Sequence, residues 1–218
     1  MQEINLLAQY PQSKGRGAER PVITEDDRRI SKQFGREYFD GPRQYGYGGY
    51  NYHPRFWTDT VKYIRDYYAL RPDTSILDVG CAKAFMLYDF HLLMPEARLA
   101  GVDISEYAIE NALEAMKPFV QVGNARSLPF PDKSFDLVLA INTIHNLPHA
   151  ECAQSLREIE RVTRKNAFVM VDAYRTPEQH EAMRKWVLTA QTMLHVDDWL
   201  DMFRESGYTG DYYWWIVE

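Results

Sequence analysis

The sequence predicts an α/β fold, a doubly wound and mostly parallel sheet led by a helical, aromatic-rich segment. Three observations predict it. Short apolar runs of strand length recur from residue 75 onward, and amphipathic stretches of helix length separate them. Strand–helix–strand repeats of this kind close as right-handed crossovers between parallel strands. Apolar residues form 45% of a 218-residue chain, enough for the core of one sizeable domain.

The elements follow in order. Residues 1–23 are polar with Gly and Pro and read as a flexible arm. In TEDDRRISKQFGREYF, Thr24 is an N-cap, acids fill the first turn, and Ile30, Phe34 and Phe39 share a face, which predicts a helix. The Gly- and Pro-rich DGPRQYGYGGYNYHP is a loop, and residues 24–70 as a whole form a helical cap with a Tyr/Gly-rich lid. A helix over about 55–70 rests on Phe56, Val61, Ile64 and Tyr68.

From 71 to 218 the chain reads as the main domain. SILDVGC (75–81) is a first strand, 84–94 a helix closed by Pro95, and ARLAGVDI (97–104) a second strand. Ser105 caps a helix over EYAIENALEAMK, and FVQVGNA (119–125) is a third strand. After the turn PFPDKS come the strand FDLVLAINTIH (135–145), a helix over 149–163 and the strand NAFVMVDAY (166–174). Helices near 177–187 and over 196–206 precede a closing strand inside TGDYYWWIVE, while VLTAQTML reads equally as helix or strand.

Composition removes several function classes. Net charge is −6 with no run of Lys and Arg, which argues against a nucleic-acid partner. The two cysteines, Cys81 and Cys152, make neither a metal-ligand pair nor a disulfide framework, and no metal is expected. No signal peptide or membrane-length apolar run is visible, so a cytoplasmic protein without a membrane partner is expected. Oligomeric state is open, a homodimer included. Aromatics reach 14% and cluster at 45–57 and 208–215, as core or as the wall of a ligand site.

The loop after the first strand, Gly80-Cys81-Ala82-Lys83-Ala84, keeps one glycine, whereas a dinucleotide loop needs three to let a pyrophosphate approach. A cofactor without phosphates asks for less, and alanine suffices there if its φ stays negative. A dehydrogenase of the short-chain type would need Tyr-x-x-x-Lys late in the fold, and that spacing occurs only at Tyr10 and Lys14.

Residues 75–174 resemble a class I S-adenosylmethionine-dependent methyltransferase, of the small-molecule, type 11-like kind. LDVGCAKA resembles the acid-x-Gly-x-Gly-x-Gly loop, GVDIS the end of the second strand, and GNARSLPFPDKSFDLVLAINTIHNL the adenine loop, fourth strand and following turn. The resemblance implies a Rossmann-like methyltransferase fold with S-adenosyl-L-methionine as cofactor. It places Asp78, Gly80, Ala82 and Lys83 beside the amino-acid moiety, Asp103 on the ribose hydroxyls with Ile104 next to it, and Asn124, Ala125 and Arg126 at the adenine. Asn142 would lie near the sulfonium. Two departures stand out: Ala82 and Ala84 replace glycines, and Asn124 replaces the usual Asp.

The implied reaction moves the methyl group to an O or N atom of a small molecule, such as a sugar or natural-product intermediate. A catalytically inactive relative that only binds the cofactor is the rival reading. His145 in NTIHNL is the candidate base, or else a side chain that bonds the loop. Tyr47, Tyr50, Tyr52, His53 and Trp57 are candidate substrate walls, whose ring faces favour a sulfonium by about 0.5–2 kcal/mol.

Overall fold

In the computed structural model, which describes residues 1–11 and 22–217, the helices and strands alternate as the apolar pattern requires. The cap holds α1 (Glu25–Ser31), α2 (Arg36–Phe39) and α3 (Pro54–Tyr67). The main domain runs β1 (Ser75–Val79), α4 (Phe85–Leu93), β2 (Arg98–Asp103), α5 (Glu106–Glu110), β3 (Val120–Val122), β4 (Phe135–Ile141), α6 (His149–Val162) and β5 (Thr163–Tyr174). It ends with α7 (Pro177–Trp186), β6 (Leu194–His195), α8 (Val196–Glu205) and β7 (Asp211–Trp215).

The sheet has seven strands in the order β3-β2-β1-β4-β5-β6, with β7 paired to β5, and every pairing is parallel. The strand order reverses between β1 and β4. That switch point is where open sheets of this class bind ligands, beyond the carboxyl ends of the strands. β1 is buried along its whole length, as a central strand covered on both faces must be. One face packs Leu77, Val79 and Val138 against α6 and α8, including Leu156, Trp199 and Phe203. The other packs Ile76, Leu137 and Leu139 against α3 and α4, including Ile64, Leu87 and Phe90.

Several boundaries differ from the sequence reading. The helix expected from Thr24 breaks in two: Thr24 caps α1 through a capping box with Asp27, and Phe34 at φ 48° precedes the Gly35 cap of α2. The helix expected over 106–117 stops at Glu110, because Leu113 N donates to Lys83 O and a 3₁₀ turn containing Pro118 follows. VLTAQTML is largely irregular, contributing only Leu194 to β6.

The flexible arm needs the largest correction. Ile4 N donates to Tyr212 O and Tyr212 N to Gln2 O, so the first residues extend the sheet beside β7. Leu6 is fully buried and Tyr10 packs edge-on against Trp57. The rest of that arm, residues 12–21, Lys14 included, lies outside the described residues. Among those described, no helix is long and apolar enough to cross a membrane, and no cluster of His, Cys, Asp and Glu could hold a metal ion.

Candidate functional site

β1 and β2 end in a pair of buried carboxylates. Asp78 is 4% exposed and Asp103 9%. Register places Val79 opposite Val102, so Asp103 stands just past the end of β1, against the turn. Its Oδ2 accepts the N–H of Ala82 at 2.7 Å and its Oδ1 that of Ser105 at 2.8 Å. Asp103 therefore ties the β1 loop to the N-terminus of α5. Each oxygen keeps a lone pair, enough for two hydroxyl donors. Asp78 accepts no hydrogen bond among the described residues, so it does not anchor the loop. Burial, and then the charge of Asp103, push its carboxyl up to about 8. Burial also raises Asp103, against the N–H donors that oppose it. Two buried acids side by side disfavour a second negative charge, and a cationic ligand relieves both.

The backbone between them is left-handed. Gly80 has φ 85°, and a Cβ there would lie 2.1 Å from Thr143 Oγ1, so only glycine fits where the β1 and β4 loops touch. Alanine suffices in this loop on the condition of a negative φ, and Ala82 and Ala84 do not meet it, at 48° and 64°. Such a conformation costs a non-glycine residue about 1–2 kcal/mol. Ala84 is held by its N–H to Cys81 O and by the apolar core around its methyl group. Asn142, at the exit of β4, shares the conformation at φ 53°. Left-handed backbone thus gathers at two neighbouring strand tips, and occurs singly at Phe34, Ala69 and Lys133.

An aromatic roof covers this turn. The ring of Tyr50 stacks on Phe85 at 4.8 Å and that of Tyr47 lies 4.3 Å from Tyr50. Burial, then Tyr47, hold the Tyr50 phenol well above its ordinary range, with Asp78 and Asp103 adding to the effect. Tyr47, 46% exposed at the outer edge, is raised by Tyr38 first, and Asp103 contributes. Both phenols are thus within the electrostatic reach of the carboxylates. Tyr52 packs on Phe85 and Tyr88 at the edge, its phenol pushed up to about 12 by burial and Asp89. His53 and Trp57 are elsewhere. His53 Nδ1 caps α3 by accepting Arg55 N, and Trp57 lies against Tyr10 and the core.

Lys83 points away from the carboxylate pair. Its Nζ donates to Asp40 at 2.6 and 2.8 Å and to Tyr50 O at 2.9 Å. Asp40 also accepts Tyr107 OH at 2.6 Å and Tyr50 N at 3.0 Å. Burial would raise the Asp40 carboxyl, but the bonds from Lys83, Tyr107 and Tyr50 outweigh it and hold it low. This clasp fastens the roof to the β1 loop. Asp40 was not foreseen, because its partner stands 43 residues away and no local pattern links them.

Beyond β2, Ile104 is 53% exposed at the strand tip. Asn124 does not offer its amide oxygen outward: Oδ1 accepts Arg126 N at 3.0 Å and Arg126 Nε at 3.2 Å, which closes a local turn around Ala125. Arg126 is paired with Glu151 at 2.6 Å.

His145 is 4% exposed. Its Nδ1 accepts Asp172 N at 2.9 Å and its Nε2 lies 3.7 Å from Asp172 Oδ2. Burial lowers its pKa, so the ring is neutral, and both nitrogens face β5. Its carbonyl accepts the N–H groups of Gln191 and Thr192. The geometry makes His145 a brace between β4, β5 and the segment before β6. His145→Ala is expected to destabilise the fold by about 2–4 kcal/mol, from a cavity and an unpaired buried N–H. Urea denaturation checks this; unchanged stability would return the imidazole to the role of a base.

Residues 77–171 match a protein family described as a methyltransferase domain. Among curated relatives, the chain is 35% identical over 124 residues to a demethylmenaquinone methyltransferase of Symbiobacterium thermophilum, covering 51% of this chain and 49% of that protein. It is 30% identical over 132 residues to a malonyl-[acyl-carrier protein] O-methyltransferase of Legionella pneumophila, covering 58% and 45%. The chain spans about half the length of the curated relatives it matches. The crystal structure of the YcgJ protein from Bacillus subtilis superposes with a TM-score of 0.52 at 22% identity, covering 67% of this chain and 66% of that one. That of the [4+2]-cyclase SpnF superposes at 0.55 with 21% identity, covering 69% and 56%. One architecture therefore carries more than one reaction, and the site must argue for the chemistry. Residues 77–171 thus match a methyltransferase domain, on a fold shared with these solved structures.

Proposed function

We propose that this protein transfers the methyl group of S-adenosylmethionine to an oxygen or nitrogen of a small molecule, a sugar or natural-product intermediate among the candidates. The observation that carries the reading is Asp78: a buried carboxyl with no hydrogen-bond donor among the described residues, beside Asp103, whose free lone pairs suit a diol. Together they fit a ligand with a positive charge and two neighbouring hydroxyls. Asp103 would take the ribose, Asp78 would supply negative charge toward the amino-acid end, and Ile104 would flank the base.

The bound cofactor supplies an electrophilic methyl group. The chain's part is to orient the partners and exclude water, the main demands of an in-line displacement. Tyr50, Tyr47 and Phe85 wall the turn with apolar faces. His145, neutral and committed to Asp172, holds the β4 exit in place.

A thermal-shift screen tests the reading. S-adenosylmethionine and its demethylated product are each expected to raise the midpoint, and NAD is not. Asp103→Ala should weaken donor binding at least tenfold by calorimetry. A response to NAD alone, or unchanged affinity in the variant, overturns the proposal. The strained Ala82 and Ala84 favour a second reading, in which the donor binds without turnover. Donor-dependent methylation of any small acceptor eliminates it.

A further inference from the structure

The cap does more than roof the β1 loop. Phe34 O accepts Ser105 Oγ on the β2 side, while Arg28, on α1, reaches the opposite side beyond β5. There its guanidinium donates to Val187 O at 3.3 Å and to Arg184 O at 2.7 Å. Between α1 and the chain after α7 lies a cavity of about 400 Å³. That volume suits a small ligand.

The lining has a consistent chemistry. Arg28, Lys32 and Arg184 supply three positive charges against one negative charge from Glu25, in a chain whose net charge is −6. Val187, Ala190 and Met193 supply an apolar side. Cations at helix C-termini often serve only to satisfy carbonyls. Here Arg28 already does so for the end of α7 and also pairs with Glu25 at 3.0 Å. Lys32 and Arg184 are exposed and have no ion-pair partner among the described residues.

One wall of the cavity is fastened to the turn after β4. Gln191, one of its walls, donates its side-chain amide to Asn146 O at 2.7 Å and its backbone N–H to His145 O at 3.0 Å.

We infer that this cavity is the acceptor site and that the acceptor is an anion, a carboxylate or phosphate carried on an apolar body, bound through Lys32 and Arg184. The inference rests on the methyltransfer reading and names its substrate class. Cationic side chains at the rim draw such an anion in and fix its charged end, leaving the remainder to extend toward the β4 turn.

Calorimetry of the full chain with benzoate, phenyl phosphate and neutral benzyl alcohol tests it, each with the demethylated cofactor present. At least one anion is expected to bind tenfold more tightly than the alcohol, and the choice between the two anions tells carboxylate from phosphate. The double variant Lys32→Met, Arg184→Met should weaken that anion at least tenfold while affinity for the demethylated cofactor stays within twofold. Both side chains are exposed, so the fold should survive, and an unchanged thermal midpoint verifies it. Equal binding of the alcohol, no binding of either anion, or an undiminished double variant overturns the inference. Anion binding in a chain that ignores the demethylated cofactor would sink the methyltransfer reading and leave an anion site standing.

Discussion

Asp78→Asn is expected to stabilise the free protein at pH 8 while lowering its affinity for S-adenosylmethionine at least tenfold. Burial and Asp103 raise the Asp78 carboxyl to about 8 in the folded chain, against 3.8 for the ordinary group. The folded state thus keeps a proton that the unfolded state releases across pH 4–8. The sign follows: stability on this account is fully present below pH 4 and is lost as pH rises through about 8. Asn carries no charge and removes the slope. With about 1.4 kcal/mol for each pKa unit, a rise of roughly four units makes the gain at pH 8 several kcal/mol. Asp103 titrates with its neighbour, so the profile belongs to the pair. Urea unfolding of both proteins from pH 5 to 9 should give a falling curve for the native chain and a flatter one for the variant. Parallel curves would show that Asp78 is not held in this state. A residue that harms the empty fold and serves the loaded one is the usual signature of a binding group.

Lys83→Met is expected to loosen the aromatic roof. The Lys83 side chain is 7% exposed and that of Asp40 24%, so the pair is shielded more than a surface salt bridge, and its loss costs about 1–3 kcal/mol. Asp40 keeps Tyr107 and Tyr50 N, which limits the damage. The specific outcome is local. Protease cleavage within residues 40–52 should rise at least tenfold, and donor KM should rise more than kcat falls. An unchanged cleavage pattern would mean that the roof is held by ring packing alone.

The strands were readable in the sequence because each is a run of apolar residues buried on both faces. ILDV and LVLAI have the length and apolar continuity of such strands. Asp78 and Asp103 were readable for a related reason, since an acid that ends such a run must sit at a strand tip. Other parts were not. Leu6 and Tyr10 belong to a segment too short for a periodic signal, and β7 and α3 together give it a place. The positive φ of Ala82 and Ala84 contradicts local preference and is imposed by the turn's bonds to Val102, Asp103 and Cys81. Lys83, within the β1 loop, reads in sequence as a cofactor contact. Its partner, Asp40, stands at the end of α2, 43 residues earlier. Asn124 was read by its neighbours in sequence, whereas its oxygen closes its own turn with Arg126. Long-range polar pairs carry no period, and so escape a reading by period.

The central claim is that neighbouring acids at two strand tips accept a cationic methyl donor. Calorimetric titration with S-adenosylmethionine at pH 7, repeated in buffers of different ionisation enthalpy, tests it most directly. Binding should drive Asp78 to its carboxylate, releasing up to about one proton per donor bound, and the release should vanish in Asp78→Asn. Tight binding with no proton release in the native chain would contradict the account.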